Sequence, residues 1–319
     1  MAVSIQSMRY FTTALAHGSI SAAAEELNVA ASAVSAAIDR IEAHFQLTLV
    51  NRFRSRGISA TASGQVLDKK FIHLLEEFEA VMSSGSDLQG ALTGALRIGY
   101  YAPVAPAFLP DILADLAHGD GQVTLHLEEC DNNRAQEGFL AGDFDAILFV
   151  SDAALPQITF DVLIEAPAYC LTACNHQLAK RDFVHLTDLA EETMIVLNRP
   201  LAVDYYRQLF HKAGHNPDKI AYANSTEMVR SLVGAGHGCA VLNMLPATDV
   251  SYSGDRLVAK PIKDSLPPLT LAIGYDKANP RRIVSHFVTR CLSYFGEGEG
   301  RRLIVDPQAI SAPPKGGSA

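Results

Sequence analysis

The sequence predicts an α/β chain with a small helical head, and three observations predict it. Apolar residues recur at helical spacing from Ile5 to Met82. A Ser/Gly-rich stretch from Ser83 to Gly94 then breaks the pattern. Beyond it, β-prone runs alternate with helical segments in two successive units of the same kind. At 319 residues the chain has room for two or three domains, each able to bury a core.

In the head, Ile5, Met8, Phe11 and Leu15 fall on one helical face, and His17 with Gly18 ends that helix. Ile20, Ala23, Ala24 and Leu27 form a second, shorter helix, capped by Ser19 or Ser21 and stopped at Asn28. A third spans Ala31 to Phe45 and turns Val34, Ile38, Ile41 and Phe45 inward. Its other face carries Ser32, Ser35, Ala36, Asp39 and Ala43. Two short helices so separated read as a helix-turn-helix. Asn51 to Thr61, NRFRSRGISAT, adds Arg52, Arg54 and Arg56 around a glycine turn, a composition that suits a wing on a phosphate backbone.

Thr61 to Met82 reads as a longer helix with Leu67, Phe71, Leu74, Phe78 and Val81 alternating at four and three. That heptad seam is an ordinary core face or a pairing surface for a second copy, and its place between two domains favours pairing.

In the body, LRIGYY at Leu96–Tyr101, Val123–Glu129 and Ala146–Val150 read as strands, with helices at Val104–Leu116 and Asn132–Ala141 stopped by Gly142. This βαβαβ order implies a parallel sheet covered on both faces. The second unit has strands at Tyr169–Ala173, Met194–Asn198, Ala221–Asn224 and Cys239–Asn243, and helices at Val203–Ala213 and Thr226–Ala235. A late strand, Leu269–Tyr275, and helix, Arg281–Phe295, complete either sheet, and Glu297–Ala319 is expected to be mostly disordered. Ligands bind such sheets beyond the carboxyl ends of the strands, where helix starts attract anions. The residues so placed are Tyr100 to Pro103, Val150 and Ser151, Asn198 and Arg199, Ser225 and Thr226, and Asn243. Strand alternation lets only one of Tyr100 and Tyr101 face a cleft, and Tyr101 is chosen, with Tyr100 left to the core.

A hydrophobic fraction of 48% excludes a disordered chain. No apolar run is long enough to span a bilayer, and Met1 to Gln6 lacks the basic and apolar regions of a leader, so a soluble cytoplasmic protein is expected. The net charge of −9 argues against nucleic acid, but its distribution matters more. Residues 1–61 hold five arginines against four acids, a balance of +1, whereas residues 62–91 stand at −3 and the remainder at −7. The five cysteines show no metal-binding spacing and read as reduced, buried thiols, with Cys170 and Cys174 the nearest candidates for a redox pair. The histidines are scattered and neither GxGxxG nor GxxxxGK[ST] occurs, so catalytic residues, metal ligands and cofactors are all expected to be absent. GAGHG at Gly234–Gly238 follows a helix and precedes a strand, so it reads as a helix stop.

MRYFTTALAHGSISAAAEELNVAASAVSAAIDRIEAHF, GALRIGYY, GDFDAIL at Gly142–Leu148 and STEMVRSLVGAGHGCAVL at Ser225–Leu242 together resemble the LysR-type transcriptional regulators, over nearly the whole chain to Phe295. The resemblance implies a winged helix-turn-helix DNA-binding domain at 1–61, a dimerising linker helix at 62–90 and an effector domain at 91–296, like the periplasmic binding proteins. In that domain, subdomain I takes 91–165 and 269–296 and subdomain II takes 166–268. It further implies promoter DNA as partner, a homodimer through the linker, tetramers built from dimers, and promoter binding altered by a small molecule in the cleft.

The DNA contacts expected on this basis are Ser32, Ser35, Ala36, Asp39, Arg40, Arg52, Arg54 and Arg56. Where the family commonly carries Gln, Pro and long polar side chains, this chain has Ala31, Ser32, Ala36, Ala37 and Asp39, so direct base reading is thin. Asp39 accepts from a cytosine amino group or pairs with a neighbour. The effector contacts expected are Tyr101, Ala102, Pro103, Ser151, Asn198, Arg199, Ser225, Thr226 and Asn243. Arg199 and the helix start at Ser225 point to a carboxylate effector. The alternative is a solute-binding or sensory module whose N-terminal domain only dimerises.

Overall fold

The computed structural model describes residues 3–53, 57–84, 92, 94–118, 123–212, 214, 217, 219–278 and 280–306. Arg54, Arg56, nearly all of the Ser/Gly stretch beyond Ser84 and the tail from residue 307 lie outside the described residues. The chain forms two compact units: residues 1–96 with 119–126 and 140–144, and residues 97–118, 127–139 and 145–319.

The first unit opens with α1 (Ile5–His17), α2 (Ile20–Glu26) and α3 (Ala31–Phe45). Local chemistry sets these limits. Ser4 and Ser19 cap α1 and α2 by accepting from Ser7 N and Ala22 N, and Gly18 ends α1 in the left-handed region. Phe11, Ala14, Ala23, Val34, Ala37, Ile38 and Ile41 are fully buried between the three helices. Each large side chain among them contributes about 1.5–3 kcal/mol by leaving water. Phe45 departs from the expected core: it is 41% exposed at the last position of α3 and leans on His44 and Phe71. Ala37, where the family commonly carries a long polar side chain, is core.

The hairpin β1 (Val50–Phe53) and β2 (Gly57–Ala60) follows, paired antiparallel with Arg52 opposite Ile58. Gly57 has φ +80°, and a Cβ there would lie 2.1 Å from the Gly18 carbonyl oxygen. Only glycine lets the wing dock on the α1–α2 turn this closely, where Ile58 N donates to Gly18 O at 2.8 Å.

α4 (Ala62–Ser84) then divides the expected seam. Phe71 turns into the unit's own core, edge-to-face with Phe11 at 5.7 Å, and Leu75 is buried, while Leu74, Phe78 and Met82 stay 45%, 38% and 64% exposed. The side chain of Val81 lies outside the described residues. One stripe thus serves two faces because α1 already covers the first half of it.

The α/β body has β3 (Gly94–Tyr101), α5 (Leu109–His118), β4 (Val123–Cys130), α6 (Asn132–Leu140), β5 (Ala146–Val150) and β6 (Phe160–Ala166). Next come β7 (Tyr169–Ala173), α7 (Leu186–Ala190), β8 (Thr193–Leu197), α8 (Pro200–Lys212), β9 (Lys219–Ala223), α9 (Thr226–Gly234), β10 (Ala240–Leu242), β11 (Leu257–Pro261), β12 (Leu269–Tyr275) and α10 (Arg282–Gly296). The helix expected over Val104–Leu116 is a 3₁₀ turn at Ala105–Ala107 followed by α5. Pro110 has no N–H to donate to the Pro106 carbonyl, which interrupts the helical ladder between the two pieces.

The first sheet has the order β4-β3-β5-β12-β6. It is mixed rather than parallel: β3 runs parallel to β5, whereas β12 is antiparallel to both β5 and β6. The late strand therefore completes this sheet. In the second, β7 lies between β10 and β11, both antiparallel to it, and the parallel pair β8–β9 joins through a bridge between Met194 and Cys239. The chain passes between the sheets twice, after Ala166 and before Leu269, and these two residues are paired neighbours.

The segment after α10 is packed, against expectation. Glu299–Leu303 forms a 3₁₀ turn, Leu303 is buried, Leu245 N donates to Leu303 O at 2.7 Å, and Arg302 pairs with Asp111 at 2.9 Å. Two apolar residues, the buried Leu303 and Val305 packed against the core, anchor a stretch whose composition reads as a tail. Among the described residues, no helix is long and apolar enough to cross a membrane.

Candidate functional site

On the first unit, α3 exposes Ala31, Ser32, Ala36, Asp39, Arg40 and Ala43, with Ser35 half-buried. Glu42, on the same helix, accepts from Leu49 N at 2.7 Å and Val50 N at 3.0 Å, which fixes the hairpin against α3. Arg52 then reaches back to α3. Its Nη2 meets Asp39 Oδ1 at 2.5 Å and its Nη1 donates to Ser35 Oγ at 3.3 Å. Asp39 is thus paired with a neighbour here. The arrangement presents small side chains, the exposed Arg40 and the ion-paired Arg52.

On the second unit, a cavity of about 240 Å³ opens between the two sheets. Its walls include Tyr101 from the end of β3, Leu201, Tyr205 and Tyr206 from α8, Thr226 at the start of α9, Asn243 after β10, and Pro267 and Pro268 at the second crossing. Asn243 is buried and donates through Nδ2 to Ala166 O and Tyr205 Oη, both at 3.0 Å, and Tyr205 Oη donates to Pro267 O at 2.9 Å. Both crossings are thereby tied to one wall. Burial pushes the Tyr101 phenol up to about 12, against a lowering influence of Arg199, and burial likewise raises Tyr205 and Tyr206. All three stay neutral near pH 7. Among the described residues no lysine or arginine lines this chamber and its one carboxylate is Asp152, which accepts from Thr270 N at 3.0 Å.

A second pocket of about 310 Å³ is lined by Ala102, Pro103, Glu129, Arg199, Ser225, Thr226, Glu227 and Arg230, among others. Thr226 and Pro103 belong to both walls, so the two spaces adjoin. Ser225 caps α9 by accepting from Met228 N at 3.2 Å. Arg199 Nη2 meets Glu129 Oε1 at 3.1 Å, an ion pair that spans from one sheet to the other. Arg230 is committed inward to Glu227 and to the carbonyls of Thr248 and Val250.

Of the expected cleft residues, Tyr101, Ala102, Pro103, Arg199, Ser225, Thr226 and Asn243 line one of these spaces, and Ser151 and Asn198 line neither. Ser151 donates to Thr270 O at 3.4 Å and Asn198 to Asn224 Oδ1 at 3.0 Å. Tyr101 is the buried member of its pair and Tyr100 the half-exposed one, so Tyr100 is not core. Leu201, Tyr205 and Tyr206 were missed. The signal was the four-residue spacing of Leu201 and Tyr205 at the start of a helix that follows a rim strand.

Two family models match the chain: a bacterial regulatory helix-turn-helix protein of the lysR family over residues 5–65, and a LysR substrate binding domain over residues 89–296. The HTH-type transcriptional regulator YtlI of Bacillus subtilis is 23% identical over 296 residues, covering 91% of this chain and 94% of its own length. GltR of the same organism is 28% identical over 246 residues, covering 75% and 79%. The crystal structure of HinK, a LysR family transcriptional regulator from Pseudomonas aeruginosa, covers 93% of this chain and all of its own at 24% identity with a TM-score of 0.59, a likeness of fold. With both models in register with the helix-turn-helix and the two-sheet body, the chain belongs to the LysR family of transcriptional regulators, which pair a helix-turn-helix DNA-binding domain with an effector-binding one.

Proposed function

We propose that this regulator acts in the cytoplasm, without catalytic chemistry, as a homodimer through α4 that assembles into tetramers on promoter DNA. In this reading residues 1–61 grip DNA, 62–90 pair the chains, and subdomains 91–165 with 269–296 and 166–268 enclose the effector. Ser32, Ser35, Ala36, Arg40 and the wing arginines contact DNA, mostly at phosphates. The exposed Leu74, Phe78 and Met82 on α4 support pairing, since an apolar stripe of this kind is costly to leave in water.

The observation that carries the effector assignment is the adjoining pair of spaces. The inner chamber takes an uncharged apolar body, and the outer pocket offers Arg199 and the start of α9 to a carboxylate. Glu129 already occupies Arg199, so an anionic effector has to displace it. Thermal denaturation with a panel of aromatic and aliphatic carboxylates, each beside its amide, tests this. A ligand at 100 times its dissociation constant adds about 2.7 kcal/mol. Glu129→Gln should tighten the carboxylate and leave the amide unchanged. Amides that outperform every acid would overturn the carboxylate assignment. Gel shifts on DNA upstream of the gene, across a salt series, test the regulatory reading. Failure of any sequence to outcompete bulk DNA at every salt concentration would refute it.

A further inference from the structure

Three side chains of metal-binding type meet at the end of β7 remote from the crossings. His176 follows β7, Glu192 precedes β8 and Cys239 precedes β10, and one donor atom of each lies within 4.8 Å of the other two. We propose that His176 Nε2, a Glu192 carboxylate oxygen and Cys239 Sγ form a binding site for a zinc-class divalent cation. Nothing in the helix-turn-helix or the cleft uses these residues.

The geometry favours a shared ion over ordinary pairing. His176 Nε2 and Glu192 Oε2 are 3.5 Å apart, too long for a strong hydrogen bond. Two ligands on a tetrahedral zinc with bonds of about 2.1 Å stand roughly 3.4 Å apart. The donor set of one thiolate, one imidazole and one carboxylate matches zinc and its neighbours and is foreign to magnesium and calcium. Two partly exposed ligands give a hydrated ion access, the His176 and Glu192 side chains being 21% and 19% exposed, while Cys239 is buried.

The backbone is built to put the sulfur there. Gly238 has φ +155°, and a Cβ would lie 2.0 Å from Thr193 O, so only glycine lets this segment meet the start of β8. Cys239 N donates to Thr193 O at 2.9 Å and Ile195 N to Cys239 O at 2.7 Å, fixing Cys239 beside the residue that follows Glu192. The glycine run that reads as a helix stop thus has a second consequence.

The surroundings supply outer contacts. Gln177 Nε2 donates to Glu192 Oε1 at 3.1 Å, and Thr172 Oγ1 lies 3.7 Å from Cys239 Sγ. A second buried cysteine, Cys170, lies on the neighbouring strand β7. A disulfide between the two cysteines is the competing use. The strand register sets Cys170 opposite Val241, so Cys239 is its diagonal neighbour at about 7–8 Å. That exceeds the usual span of a bridge, about 4.4–6.8 Å between Cα atoms. Cys174 is no partner either, since β7 ends at Ala173 and Cys174 is exposed. Binding has one cost in the protein. Leu178 N donates to His176 Nδ1 at 3.2 Å, and this long contact is given up when Nε2 takes the ion and the ring proton moves to Nδ1. Loss of one such bond is small beside the free energy of three metal–ligand bonds.

Cobalt(II) titrated into tag-free, chelator-treated full-length protein tests the site. The expected result is a thiolate-to-cobalt charge-transfer band with the visible bands of four-coordinate cobalt, saturating at about one ion per chain and bleached by zinc. Cys174→Ala should leave the spectrum unchanged and Cys239→Ala should abolish the charge-transfer band. Should Cys239→Ala not fold, His176→Gln and Glu192→Gln, both at partly exposed positions, carry the test, each weakening cobalt about tenfold or more. No charge-transfer band in the wild type, loss of the band in Cys174→Ala, or indifference to both His176→Gln and Glu192→Gln would overturn the assignment.

Discussion

Asp39→Ala separates what Arg52 does within the protein from what it does toward DNA. The pair is short, 2.5 Å, but its side chains are 43% and 59% exposed. Exposed pairs contribute about 0.2–1 kcal/mol, so the variant should stay folded with a melting temperature almost unchanged. Its effect on DNA should be larger. With Asp39 in place, the arginine's charge is matched and its Nη1 and Nη2 are turned toward α3. Removing the carboxylate frees one guanidinium per chain for a phosphate and deletes one negative charge from the face of α3.

Each phosphate newly neutralised changes the slope of log K against log salt by about −0.9. Between 50 and 200 mM salt that is an additional loss of about 3- to 4-fold per bound chain, so the variant binds more tightly at the low end and converges with wild type at the high end. Fluorescence anisotropy on a promoter duplex and on a scrambled duplex, each across the salt series, measures both quantities. An unchanged slope with weaker binding to both duplexes would refute the reasoning. A loss confined to duplexes with cytosine at one operator position would show that Asp39 reads a base and leaves Arg52 in the complex.

Three further outcomes are expected. Phe78→Glu, at an exposed position of α4, should leave the fold intact to within about 0.5 kcal/mol yet shift the mass seen by light scattering toward monomer; an unchanged mass would remove α4 from the pairing surface. Asp68 is half-buried, with Oδ1 out of water and unpaired, and burial raises its pKa from 3.8 to about 6 although Lys69 opposes this. The folded state therefore binds this proton more tightly than the unfolded chain, so stability falls as pH rises from 3.8 through 6. Asp68→Asn should gain about 1 kcal/mol at pH 8, after discounting for solvent screening, and nothing at pH 3.5, as read from melts at the two values. Leu303→Ala should cost about 2–4 kcal/mol in denaturant melts if the segment after α10 is core, and almost nothing if it is a tail.

The head was legible in the sequence because its limits are local. A serine accepts from a backbone amide three residues on, a glycine adopts a left-handed turn, and neither depends on distant chain. The inner strands were legible for a related reason, being short apolar runs covered on both faces. β6 and β11 were not. Phe160–Ala166 and Leu257–Pro261 are half-exposed and carry Asp161, Glu165, Lys260 and Pro261, and only pairing with β12 and β7 makes them strands. α4 shows the same limit in another form, since its period was readable but the division of its stripe depends on where α1 lies. The cleft was half legible: rim residues follow from strand ends, whereas Tyr205 and Tyr206 enter from a helix and Pro267 and Pro268 from a crossing with no pattern of its own.

The largest gap between residue types and their disposition concerns charge. Every arginine that the described residues bring to the helix-turn-helix hairpin or the outer pocket is shared with an acid: Arg52 with Asp39, Arg199 with Glu129, Arg230 with Glu227. A count of cations at a site therefore overstates the field that an anion meets. For a chain with a net charge of −9 this has a functional consequence. A phosphate or a carboxylate gains only the difference between its own interaction and that of the carboxylate it displaces, so affinity at either site is set by competition. The two displacements differ in what they release. At Arg52 the freed acid stays on the surface of one helix, and little else moves. At Arg199 the freed acid belongs to the opposite sheet, so a carboxylate effector of the proposed kind would break an ion pair that spans the two sheets. On the proposed function, that difference gives the second site, and not the first, a route from ligand chemistry to a change in how the two sheets are held.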